Sequence, residues 1–151
     1  MNWSRFKHDT INNVFGKEKV PTIVGTLVTA VYMTAIMIFP LGIDIAPYLG
    51  PFLGGFVAGA VLGTNVYDGV AYGVRAAAYG FVIVAFVVTI GSFVLFLQAT
   101  GDQYFYVSSF LGLLVVFAIV PLSAFAGGIA GPVGTLVRRM VVPRQYNPPA
   151  R

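Results

Sequence analysis

No Asp, Glu, Lys, Arg or His interrupts residues 20–43, 45–67, 76–101 or 103–137. A helix needs about 20 apolar residues to cross about 30 Å of hydrocarbon, and each uncharged window reaches that length. Four membrane spans are therefore predicted. The first covers residues 20–39 and stops at Pro40, where Gly42 and Asp44 mark a short turn. The second covers residues 47–65, with Pro47 suited to a first helical turn and Pro51 expected to bend the helix. The third covers residues 76–97, and no proline breaks its apolar run. The fourth covers residues 106–126, with a kink expected at Pro121. Strands of a membrane barrel would alternate apolar and polar positions over segments of about 10 residues, whereas these runs are continuously apolar. The expected fold is all-α and integral to the membrane, with four transmembrane helices arranged as two glycine-rich helical hairpins.

Composition agrees with that placement. The chain of 151 residues is 58% hydrophobic and 9% charged, too few charges to cover a water-facing surface. It has no cysteine and one histidine, His8, which removes the ligands of a structural zinc or iron–sulfur site and the thiolate of a cysteine nucleophile. With four spans, Arg5, Lys7, Lys17 and Lys19, then Arg75, then Arg138, Arg139, Arg144 and Arg151 all fall on one side. These are all nine basic residues of the chain, so the positive-inside rule puts both termini and the 64–75 loop in the cytoplasm or in the interior of a virion or vesicle. Asp44 and Asp102 fall outside, each in a short turn beside a glycine. Three regions result: a basic amphipathic segment, residues 1–19; a four-helix membrane domain, residues 20–132; and a basic carboxy-terminal tail, residues 133–151. Nineteen mixed residues precede the first apolar run, which is unlike a cleaved signal peptide, so a retained first helix is expected.

Helices gain little in lipid by bringing large apolar side chains together; they associate by close backbone approach and by interhelical hydrogen bonds. Small residues four apart therefore mark contacts. The second span carries Gly50 and Gly54, then Gly55, Gly59 and Gly63; Gly69 and Gly73 precede the third, and Gly127 and Gly131 follow the fourth. Residues 54–59 and 127–131 form a short internal repeat, each after an outside-to-inside helix. Thr22, Thr26 and Thr29 share one stripe of the first helix. Their ordinary role is to bond a carbonyl of their own or a neighbouring helix, and their sharper role is to line a path for a small solute. Tyr48, Tyr67, Tyr104 and Tyr106 lie near span ends, where headgroup anchoring explains them.

Reactive chemistry is sparse. Asp68 and Arg75 are read as groups of a solvated loop, with mutual pairing or a lipid phosphate as the alternative. No Gly-rich phosphate loop, Ser/His/Asp set or paired catalytic carboxylates can be assembled, so neither an enzyme nor a cofactor or metal site is expected. Trp3, Phe6, Ile11, Val14 and Phe15 gather on one half of a helical wheel, which suits a segment lying on the inner leaflet with Arg5 and Lys7 at anionic headgroups. The basic carboxy end has the same default partner. A cationic inner face would also hold nucleic acid without sequence preference.

The stretch from Pro51 to Gly59, followed by Tyr67-Asp68-Gly69 and residues 73–77, resembles a group of small four-span haloarchaeal membrane proteins of unknown function. The overall plan also looks like the small internal membrane proteins of haloarchaeal pleomorphic viruses. Both resemblances imply a structural membrane role and no catalytic residues. The expected function is a non-enzymatic scaffolding component of a membrane complex or envelope, present as a homo-oligomer or as a subunit of a larger assembly. The alternative is a small transporter or channel subunit with a threonine-lined path.

Overall fold

In the computed structural model, the described residues are 19–39, 49–62, 65–99 and 103–142, and they form four α-helices. These are α1 (Lys19–Ile38), α2 (Leu49–Leu62), α3 (Val66–Ala99) and α4 (Gln103–Val141). Three of them contain segments long and apolar enough to cross a membrane: Lys19–Ile38, Val66–Val94 and Phe117–Val141. The fourth, α2, is apolar but has 14 described residues, about 21 Å at 1.5 Å per residue.

Local chemistry explains the boundaries. Pro21 and Pro51 each stand in the first turn of their helices as described, where a missing N–H has no intrahelical partner to lose. The third helix starts ten residues earlier than its apolar run, so most of the expected 64–75 loop is helix. Asn65 is the reason: its side-chain oxygen accepts from the Tyr67 N–H at 3.4 Å, and its carbonyl accepts from the Gly69 N–H at 2.9 Å. Asp68 follows in the first turn, where the helix dipole favours a carboxylate. The fourth helix also outruns its expected bounds. It continues past Gly127 and Gly128 to Val141 and keeps Pro121 and Pro132 inside it. Residues 133–141 of the expected basic tail thus belong to the end of α4.

The contacts run opposite to those of a water-soluble bundle. Most buried positions are small or hydroxylic, among them Ala58, Ala76, Ala77, Ala130, Thr22, Thr29 and Thr135, with Met33, Leu62, Tyr72 and Val84 the larger ones, while Val31, Leu122 and Phe125 are each about two-thirds exposed. Small residues inside and large apolar residues outside are what lipid solvation favours.

α2 and α3 are antiparallel and occupy the centre, meeting through Ala58, Leu62, Tyr72 and Ala76. α1 packs on one side of this pair and α4 on the other, so α1 and α4 barely touch. Adjacent glycines serve the two sides: a Cβ on Gly54 would meet Gly25 of α1, and one on Gly55 would meet Gly127 of α4. The paired registers, Gly50 on Met33 with Gly54 on Gly25, Gly55 on Gly127 with Gly59 on Gly131, and Gly69 on Gly131 with Gly73 on Gly127, make the four helices alternate in direction. Lys19, Leu62, Val66 and Val141 accordingly lie at one end of the bundle.

Candidate functional site: a glycine cleft latched by Thr135 and Arg138

α4 enters a groove formed by α2 and α3, and glycine makes the entry possible. A Cβ on Gly55 would fall 2.5 Å from the Gly127 carbonyl oxygen, and Cβ atoms on Gly59 and Gly73 would overlap the backbone at Gly131 and Gly127. From α3, a Cβ on Gly69 would lie 2.5 Å from the Thr135 hydroxyl and 3.1 Å from the Gly131 carbonyl oxygen. From the α4 side, Gly127 and Gly131 have no room for one against Gly73 and Gly69. Every neighbour here is backbone or a short side chain, so nothing can swing away. The two segments of the internal repeat are brought face to face, with Gly55 and Gly59 against Gly127 and Gly131 in parallel register.

On the other side, Gly54 sits against Thr29 and the Gly25 carbonyl oxygen, and Gly50 against Met33. Thus Gly50, Gly54, Gly55, Gly59, Gly69, Gly73, Gly127 and Gly131 all lie at helix contacts, and Gly63 falls outside the described residues. Gly25, Gly80 and Gly134 also meet neighbouring helices and were not singled out from the sequence. Gly80 lies two turns beyond Gly73 and meets Thr26 and Thr29 of α1, and Gly134 lies one turn after Gly131, so the helical period was the available signal. Gly91 and Gly112 have open space where a Cβ would go.

Below the glycines, α4 closes over the end of α2. Gly59, Ala60 and Val61 belong to the last described turn of α2. The Thr135 hydroxyl donates toward the Gly59 carbonyl at 3.1 Å and toward its own Gly131 carbonyl at 3.2 Å. Nη1 of Arg138 donates to the Ala60 carbonyl at 2.8 Å and to the Val61 carbonyl. A guanidinium at a helix C-terminus also meets the negative end of the dipole. Arg138 therefore has an intramolecular role, where the sequence placed it with the lipid-facing cations.

The remaining cations separate by environment. Arg75 is half-buried, its guanidinium carbon 5.7 Å from the centre of the Tyr72 ring. Lys19 and Arg139 are exposed at the same end of the bundle. Arg5, Lys7, Lys17 and Arg144, together with the amphipathic amino-terminal segment, Tyr48, Asp44 and Asp102, lie outside the described residues.

The threonine stripe of α1 is enclosed by helices. Thr22 and Thr29 have no exposed surface and Thr26 has 9%. The Thr29 hydroxyl donates to the Gly25 carbonyl one turn back at 3.1 Å, and the Thr26 hydroxyl to the Ala76 carbonyl of α3 at 3.5 Å. A cavity of about 430 Å³ lies elsewhere, between α1 and α4, and none of the three threonines is in its wall. Among the described residues, no three His, Cys, Asp or Glu side chains group as metal ligands. Comparison with known protein families, curated proteins and solved structures returns no match to this chain.

Proposed function

We propose that this protein is a non-enzymatic, packing-dominated membrane component that crosses the bilayer four times with both termini on the cytoplasmic or interior face. Its role in this reading is structural, as a scaffold of a membrane complex or envelope, in many copies or bound to a larger partner. The observation that carries it is the use of the buried threonines and of the glycines at Gly50–Gly59, Gly69–Gly80 and Gly127–Gly134 in helix contacts. Thr22, Thr26 and Thr29, the residues that a solute path would need, have almost no surface left to line one. An interior of small residues with its threonine stripe enclosed by helices suits a rigid element more than a conduit.

The alternation of helix directions supports the four-span topology. Lys19 and Arg139, exposed at one end, supply the described part of a cationic inner face for anionic headgroups, or for the phosphates of an enclosed nucleic acid without sequence preference.

Solute flux into proteoliposomes tests the structural reading. Purified protein is expected to leave small-solute and ion permeability at the level of protein-free vesicles. Flux well above that level, lost in Thr29→Val, would establish the threonine-lined conduit instead.

A further inference from the structure

The packing that clamps α4 into the glycine cleft also leaves a space. α2 and α3 meet through the fully buried Ala58 and Ala76 and hold α1 and α4 on opposite sides. Where α2 begins, nothing described fills the interval between those outer helices. The result is the cavity of about 430 Å³, walled by Met33 and Met37 of α1, Phe52 of α2, Phe81 of α3 and Leu122 and Phe125 of α4. That volume falls in the range of small-ligand pockets.

We propose that this cavity holds one acyl chain of a bilayer phospholipid. Three observations select that occupant. Water is disfavoured, because a buried water needs two to four polar partners and the wall offers one hydroxyl, Ser123. Ser123 is 4% exposed and already donates to the Val120 carbonyl of its own helix at 2.8 Å. Second, the cavity opens sideways: Met37, Leu122 and Phe125 are 51%, 65% and 67% exposed and belong to the same apolar surface that faces outward elsewhere on the bundle. The cavity is thus continuous with the lipid-facing surface, and the nearest hydrocarbon is an acyl chain. Third, Arg138 and Lys19 stand at the opposite end of the bundle, so no described cation is placed to hold a headgroup. Recognition is by the chain and is expected to be indifferent to headgroup charge. The two methionines suit this role, because an unbranched thioether side chain adapts to a mobile hydrocarbon.

The inference rests on the membrane reading above, and its test separates the two. Trp3 is the single tryptophan of the chain, so Trp3→Phe gives a dark background. Phe81→Trp then reports from the cavity wall, and Phe86→Trp, at a site 49% exposed and outside the wall, reports from the general lipid surface. In vesicles of phosphatidylcholine brominated along its chains, both positions are expected to be quenched. Adding Ala126→Phe, which fills the cavity, should lower quenching at position 81 at least twofold and leave position 86 unchanged. Ser123→Leu fills the same space from the next turn position and should act alike if Ala126→Phe disturbs folding. Brominated phosphatidylglycerol should quench position 81 equally, and a trace of brominated free fatty acid in unlabelled vesicles should show no preference for position 81 over position 86. Quenching at position 86 alone, no effect of either filling variant, or selective quenching by the fatty acid would overturn the proposal. Absence of quenching at both positions would refute the membrane reading itself.

Discussion

Replacing Gly55 by alanine sets two opposed effects against each other. Within a helix, alanine is favoured over glycine by roughly 0.5–1 kcal/mol, so an unconstrained site would gain stability. At Gly55 the new Cβ would lie 2.5 Å from the Gly127 carbonyl oxygen, whereas ordinary van der Waals contact begins at 3.4 Å, so α2 and α4 must part by about 0.9 Å. Overpacking a fixed contact costs about 1–3 kcal/mol. Moving α4 away by that amount would also stretch the 3.1 Å bond from Thr135 to the Gly59 carbonyl beyond hydrogen-bonding range, a further loss of about 0.6 kcal/mol for a typical interhelical bond in a membrane. The net expectation is a destabilisation of about 1–3 kcal/mol. Gly91→Ala is the matched control, because nothing lies within 4 Å of a Cβ at that position. It should be neutral or stabilising by up to about 1 kcal/mol. Reversible unfolding in mixed micelles of increasing denaturing-detergent fraction, followed by far-ultraviolet circular dichroism, measures both. Equal stabilities for the two variants, or a stabilised Gly55→Ala, would refute backbone contact between α2 and α4.

Arg138→Leu should lower stability by about 1.5–3 kcal/mol in the same assay, since it leaves the Ala60 and Val61 carbonyls without their charged donor. Arg138→Lys should recover part of this, as an ammonium replaces a planar fork. Thr135→Val should cost about 0.6–1.5 kcal/mol and Thr135→Ser much less, with faster amide exchange in the last turn of α2 in the valine variant. Thr29→Val should change stability little, because its hydroxyl donates within its own helix. Asn65→Ala should loosen the start of α3 at a cost of about 1 kcal/mol, seen as increased exchange at the Tyr67 and Gly69 amides.

The helical character and the principal contact faces were legible in the sequence, because uncharged windows and four-residue glycine spacing are local properties. The repeat around Gly54–Gly59 and Gly127–Gly131 pointed to elements that the structure packs against each other. The start of α3 was hidden by Asp68 and Arg75, which interrupt the apolar window. The Asn65-x-x-Asp68 pattern was a capping signal that hydropathy overrode. Arg138 was not legible as a cap. Its role depends on where the last turn of α2 falls beside α4, a register that spacing along one helix does not contain. Thr26 and Thr29 were correctly placed on one stripe, but whether that stripe faces space or neighbours depends on Gly54 and Gly80 opposite.

The most direct test of the account is the sidedness of the helix ends at Lys19, Asn65 and Val142. The chain has no cysteine, so Lys19→Cys, Asn65→Cys and Val142→Cys can each be introduced singly and exposed to a membrane-impermeant maleimide in sealed vesicles of known orientation. All three are expected to label from the interior face and none from the exterior. Labelling of positions 19 and 142 from opposite faces would contradict it.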